Sequence, residues 1–204
     1  MNPLEKLAEH FKKFPGIGPR QARRFAYFIL SQPKDSFTEL VSNMHTVRER
    51  VTRCESCLLY FTRESTEREC TYCRNPNRLK TSLLIVEKDV DVYTFEKSGA
   101  YDGMYFVLGG IIPLHDDTIP QYIRVDALAR RINQLLSLGL SEIIFALSAN
   151  SEGDATQDRV CALIAPLTLS GSIRVSVLGR GLSTGTEIEY SDSDTLKSAF
   201  TGRK

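Results

Sequence analysis

Four cysteines, Cys54, Cys57, Cys70 and Cys73, stand in the pattern C-x2-C-x12-C-x2-C within CESCLLYFTRESTERECTYC. Each close pair can grip one ion from a single turn. Four soft thiolates leave no open coordination position, which is the ligand set of a structural zinc site. Disulfide pairing belongs to oxidising compartments. A redox dithiol needs a single C-x2-C beside a thioredoxin-like unit, which the sequence does not show. The expectation is therefore one structural Zn2+ per chain, held by a C4-type zinc finger. Cys161, in the helical run RVCALIAPL, reads as a small core residue. His10, His45 and His115 lie near no cysteine or paired acid and read as ordinary surface or half-buried histidines.

A second group of residues suits a phosphate. In FPGIGPRQARRFAYFIL, Gly16 and Gly18 flank Ile17, and Pro19 then precedes Arg20, Arg23 and Arg24. Glycine removes the Cβ that would block a close approach, and a helix starting at Pro19 offers its positive end to an oxygen anion. The three arginines can reach the same phosphate or the next one. Nothing here reads base edges, so the contact is expected to be independent of DNA sequence. Ile17 is expected to plug into the two-helix core, and Gly18→Val both to block the phosphate and to strain the turn. This is the helix-hairpin-helix pattern.

The third candidate is Glu87, at the end of the apolar run TSLLIVE. A strand-terminal glutamate at the carboxyl edge of an α/β sheet resembles the TOPRIM domain, the sheet that holds magnesium in topoisomerases and primases. Catalysis there also needs an Asp-x-Asp pair after a later strand. The corresponding strand EIIFALS leads instead into Ser148, Ala149 and Asn150, with Glu152 and Asp154 just beyond, near a helix N-terminus. The catalytic set is missing from that position. A metal-dependent nuclease or topoisomerase-like enzyme would have to use Glu87 with Glu152 and Asp154. A zinc-stabilised adaptor that binds only proteins would leave the arginine-rich hairpin without a role.

The elements that must carry these groups follow from periodicity. Leu4, Leu7, Ala8 and Phe11 make a first amphipathic helix, and Ala22, Phe25, Ala26 and Ile29 the apolar face of a second. Ser36 and Glu39 read as a capping box opening a third helix, with Leu40, Val41, Met44 and Val47 inward. The polar connector RNPNRLK follows the cysteines. From residue 81, strands TSLLIVE, MYFVLGG, EIIFALS and SIRVSVLG alternate with helices DVDVYTFEKSG, RVDALARRINQLLSLG (closed by Gly139) and GDATQDRVCALIAPL. That alternation predicts a parallel sheet covered on both faces. The fold class is α+β and multidomain: a helix-hairpin-helix region at 1–53, a zinc module at 54–73, a TOPRIM-type α/β domain at 81–178 and a tail with one short helix at 179–204. Residues 1–80 hold 15 Lys and Arg against 9 acids, whereas residues 81–204 hold 11 against 16. The basic half suits a polyanion, with Arg53, Arg63, Arg68, Arg74 and Arg78 as further cations beside the cysteines. The sequence shows no run long enough for a membrane span and too polar a start for a secretory signal, so a cytoplasmic location is expected.

The whole order resembles the bacterial recombination mediator RecR family. The resemblance rests on FPGIGPRQARR, the two cysteine pairs, VEKDVDVYTFEKSG with YFVLGG, EGDAT, and the tail GRGLSTGTEIEYSDSDTL. It implies a non-enzymatic DNA clamp, a ring-like homotetramer or dimer joined through its N- and C-terminal regions. Such a clamp acts with RecO and RecF to load RecA on single-stranded DNA. By position, Arg20 and Arg24 match DNA contacts, with Arg23 an extra charge, and the four cysteines match zinc ligands. Glu87, Asp91 and Glu152 match acids that meet partner proteins. The sequence departs from the family pattern in a longer spacer between the cysteine pairs, in the loop GGIIPLHDD, and in Ser183 and Thr184, where Pro-Val is common.

Overall fold

The computed structural model describes residues 2–116, 118–170, 173–179, 181–182, 185 and 187–202. Ser183, Thr184 and Asp117 of the loop GGIIPLHDD lie outside the described residues. By internal packing the chain forms two compact units, Met1–Val51 and Thr52–Lys204. No helix among the described residues is long and apolar enough to cross a membrane.

In the first unit, α1 (Pro3–Phe11) opens with Asn2, whose side chain accepts from Leu4 N–H at 3.1 Å while Glu5 reaches back to the Asn2 N–H. This reciprocal arrangement satisfies two of the N–H groups that a helix start leaves orphaned. Helix α2 (Pro19–Ser31) packs on α1 through Ala22 and Ala26 against Ala8, with Leu4, Leu7, Phe11 and Ile17 around them. Helix α3 (Lys34–Arg50) differs from expectation. It begins behind Pro33, whose ring presets φ at −55°, so Ser36 and Glu39 lie inside the helix and form no capping box. Leu40, Val41, Met44 and Val47, expected inward, are 45%, 37%, 59% and 59% exposed. The small core of this unit closes between α1, α2 and their turn, and no residue of α3 is buried.

A short two-stranded sheet follows, β1 (Val51–Arg53), at whose first residue the first unit ends, with β2 (Tyr60–Thr62), and then a single turn of helix, α4 (Thr71–Arg74). Then come β3 (Leu79–Val86), α5 (Asp89–Ser98), β4 (Gly103–Val107), α6 (Val125–Leu136), β5 (Glu142–Ala146), α7 (Ser151–Ser170) and β6 (Arg174–Val177). A 3-10 turn, Ile188–Tyr190, and α8 (Ser193–Thr201) follow. The four later strands form one parallel sheet in the order β4-β3-β5-β6. Alternate residues serve opposite faces. Leu83, Ile85, Met104, Phe106, Ile143 and Phe145 pack on Leu128, Ile132 and Leu135 of α6 and on Val160 and Ile164 of α7. Cys161 is half-buried against this same core.

The opposite face carries Leu84, Val86, Tyr105 and Val107, and its cover is shared between Val92 of α5 and the cysteine module. Cys54, Cys57, Leu59 and Cys70 belong to that core, and the Val107 N–H donates to the Cys57 carbonyl at 2.9 Å. The connector RNPNRLK is tied down by Arg78. Its Nε donates to the Gly103 carbonyl at 2.8 Å, and a terminal nitrogen pairs with Glu96 at 2.8 Å. Its guanidinium also lies 5.4 Å and 4.9 Å from the Tyr72 and Tyr105 ring centres. Ile85 is fully buried at the centre of the sheet. Ile85→Ala is expected to lower unfolding free energy by about 2–5 kcal/mol, read as a shifted urea midpoint at unchanged slope. A decrease below about 1 kcal/mol would contradict this placement.

Candidate nucleic-acid interface and metal centre

In the hairpin, Gly16 sits at φ +76°, a left-handed conformation that side-chain-bearing residues rarely adopt, so the turn needs glycine there. Gly18 is different. Its φ is −81°, and a Cβ built on it meets nothing within 4 Å. The expectation that Gly18→Val strains the turn is therefore corrected: the strain lies at Gly16, and a side chain at 18 acts only on an approaching ligand. Gly18 is also the N-cap of α2 and supplies no side-chain acceptor, while Pro19 begins the helix. The first N–H groups of α2 beyond Pro19 are thus left uncapped by any side chain at that position.

Arg20, Arg23 and Arg24 are all exposed, and none makes an ion pair among the described residues. Arg24 donates to Gln21 Oε1 at 3.1 Å, next to Phe25 and Phe28. Arg23 turns the other way, into a hollow shared with Glu5 and Glu9 of α1. Arg20 and Arg24, one helical turn apart, share a side of α2, and Arg23 faces acids. Of the further cations beside the cysteines, Arg78 is locked in the packing described above. Arg74 lies 3.9 Å from Glu67 and Arg68 3.8 Å from Glu55, and Arg53 donates to Tyr60 Oη at 2.9 Å.

The four cysteine sulfurs lie within 4.8 Å of one another, close to the spacing of about 3.8 Å that follows from tetrahedral metal–sulfur bonds of ~2.3 Å. The Cys70 N–H donates to Cys54 Sγ at 3.3 Å. Leu58, just after the first knuckle, adopts φ 61°, unusual for a branched side chain, and its side chain packs against the sheet core. Four sulfurs so near one another cannot all carry charge without a cation. Hydrogen bonding between Cys54 and Cys57 drives the first thiol far below its ordinary range and the second far above it. The donor set and its dimensions fit a metal ion. Among the described residues this is the one group of three or more Cys, His, Asp or Glu side chains able to hold one.

At the carboxyl edge of the sheet, Glu87 is 4% exposed. Burial opposes its charge, but the Lys88 ammonium, 2.6 Å away, and the Ser148 hydroxyl, which donates to it, hold its carboxyl below the ordinary range. Asp91 accepts from the Lys88 N–H at 2.7 Å and serves as a cap for α5. Glu87 and Asp91 border one cleft of about 360 Å³, together with Lys88, Ser148 and Leu178. Glu152 lies outside that lining, on the first turn of α7. Asn150 Oδ1 accepts from the Gly153 N–H at 2.8 Å, and a Cβ at Gly153 would collide with the Ser148 carbonyl oxygen. The loop after β5 therefore closes on its own backbone, and Gly153 is fixed by that approach.

Three family models match stretches of the chain on either side of the cysteine module. The helix-hairpin-helix family of RecR matches residues 4–48, the Toprim domain family residues 81–179, and the RecR C-terminal family residues 181–204. The curated recombination protein RecR of Prochlorococcus marinus (strain MIT 9301) is 36% identical over 201 residues, 98% of this chain and 95% of the relative. The chain belongs to the RecR family. Proteins of the same name from Cutibacterium acnes and Chlorobium luteolum are 35% and 36% identical, each over 98% of this chain and 94% and 95% of their own length. Within this RecR fold, three residues that sequence reasoning passes over take part in the sites. Lys88 and Ser148 share the charge of Glu87, and the signal for Lys88 is its place as the next residue in the chain. The signal for Arg131 is a cation next to Ile132 on the apolar stripe of α6.

The lowered Glu87 carboxyl has a consequence for acid stability. A group with a depressed folded value contributes stability above its unfolded value, about 4.3 for glutamate, and loses it as pH falls through the folded value. Wild type is expected to be more stable than Glu87→Gln at neutral pH. The difference should shrink below about pH 4.3, measured by urea unfolding at a series of pH values. A constant difference across that window would contradict the ion pair.

Proposed function

We propose that this chain is a non-catalytic, DNA-binding recombination mediator. It encircles DNA as a ring-like homotetramer or dimer and works in the cytoplasm with RecO- and RecF-type proteins to load RecA on single-stranded DNA. The observation that carries this reading is the hairpin. A glycine-dependent turn and an uncapped helix start stand beside Arg20 and Arg24, which are exposed and in no ion pair among the described residues. That combination suits phosphates regardless of sequence. Residues 1–53 serve DNA, 54–73 hold zinc, 81–178 meet partners and 179–204 serve assembly. The tetrad takes Zn2+ rather than a harder cation because all four donors are sulfur.

The acidic cleft supports a partner surface better than an enzyme. Glu87 is committed to Lys88 and Ser148, and Asp91 to the start of α5. A magnesium site needs several free carboxylates aimed at one point. We assign Asp91 and Glu152 to contact with a basic partner surface, where complementary charge steers encounter; Glu87, expected from the sequence to join them, is buried and instead holds Lys88 and Ser148 in the cleft.

The exposed apolar face of α3 supports self-assembly. Leu40 and Met44 stand one turn apart on it, next to Phe37, Val41 and Val47. Leu40→Asp is expected to lower the mass in solution relative to wild type while leaving the cysteine unit folded, measured by light scattering. An unchanged mass would remove α3 from the assembly.

DNA binding is tested at Arg20 and Arg24. Affinity should fall steeply with salt and vary little with sequence. The Arg20→Ala/Arg24→Ala double variant should flatten the salt slope by roughly 0.7 to 0.9 for each phosphate it no longer neutralises. Wild-type affinity and slope in that variant would falsify the hairpin as the DNA site.

A further inference from the structure

Arg131 projects from α6 and is 6% exposed, and a terminal nitrogen of its guanidinium donates to Cys73 Sγ at 3.5 Å. Its Nε is buried without a hydrogen-bond partner. No carboxylate of the described residues lies within ion-pair distance of it. A guanidinium is charged at every working pH, and a buried charge without a counter-ion is costly enough that proteins rarely keep one. The polar group it touches is a cysteine sulfur, a thiolate whenever it ligates a metal ion. Four thiolates around a divalent ion carry a net charge of −2, so a metal-loaded tetrad supplies the counter-charge that the rest of the site does not.

We propose that Arg131 is the counter-ion and positioning residue of the metal centre. It reaches the tetrad from α6, which covers the face of the sheet opposite to the one that Cys54, Cys57 and Cys70 pack on. Cys73 is the ligand that bridges the two sides. It packs against both cores and is the one member of the tetrad that is not fully buried. This inference rests on the zinc reading above and goes beyond it in two ways. The N–H···S bond withdraws charge from the Cys73 thiolate, making it a poorer nucleophile and keeping it on the metal. The positive charge also offsets part of the repulsion among four thiolates, which raises metal affinity.

The reagent iodoacetamide tests the first effect. The Cys73 sulfur attacks the methylene carbon, an S–C bond forms as the C–I bond breaks, and iodide leaves. The resulting thioether is a weak ligand, so zinc is released to a chromophoric chelator. The second effect is read by zinc affinity, titrated against a competing chelator at neutral pH. Arg131→Met is expected to lower zinc affinity about 10–100-fold and to speed alkylation at Cys73 over Cys54, Cys57 and Cys70, mapped by peptide mass. Arg131→Lys, which keeps the charge, should stay closer to wild type than Arg131→Met in both assays. Where Arg131→Met does not fold, Arg131→Gln replaces it with the same expected result.

The two readings fail differently. Purified wild type without zinc would overturn the zinc assignment and this inference together. Zinc-loaded wild type with an Arg131→Met protein of equal zinc affinity and equal Cys73 reactivity would overturn the role of Arg131 alone.

Discussion

A parallel sheet has two faces to keep dry, and in this chain one of them depends on a cysteine module. Helices α6 and α7 cover the first face in the ordinary way. The second has only α5 as a helical cover, and Leu84, Val86, Tyr105 and Val107 would meet water if the segment from Cys54 to Cys73 were not seated on them. That segment has one strand of three residues and one turn of helix, too little regular structure to hold its own shape. Four sulfurs gathered at one point replace the missing core. The hydrogen bond from Val107 to Cys57 then joins the module to the edge strand β4, which would otherwise present an unpaired backbone edge.

Arg78 and Arg131 show how the same module is tied on from two directions. Arg78 lies against the rings of Tyr72 and Tyr105 and pairs with Glu96, so module, sheet and α5 meet at one cation. Burial and the Glu96 carboxylate both hold the Tyr105 phenol above its ordinary range, in keeping with its role as a donor to Glu96 at 2.6 Å. On α2, Arg20 and Arg24 stay exposed and outside any ion pair among the described residues. In the cysteine module most of the basic residues serve the protein itself.

Short-range spacing makes much of this legible. The cysteine pairs, the Gly-Ile-Gly turn and the alternation of strands with helices are local patterns, and the structure keeps each of them. What the sequence hides is relational. Periodicity shows that α3 has an apolar face but not whether anything covers it, and Leu40 and Met44 stand exposed. Pro33 overrides the expected cap at Ser36 because a proline with preset φ starts a helix without help from a side chain. Strands of three residues such as β1 and β2 are too short to carry a period. Glu87 is found through its place at a strand end, but Lys88 and Ser148 decide its charge, and Ser148 arrives from a loop 61 positions away.

The order in which the chain leaves the ribosome gives the cysteine module another meaning. Synthesis proceeds from the N-terminus, so residues 54–73 exist before the strands of β3 and β4 that they will cover. The lid is made before the box. Through that interval its thiols and Leu59 have no apolar surface to rest on, and a captured ion is what can give the lid its shape in advance. On the metal-bound reading proposed above, timing counts as well as strength: an ion that arrives late would meet a sheet already exposed on one side.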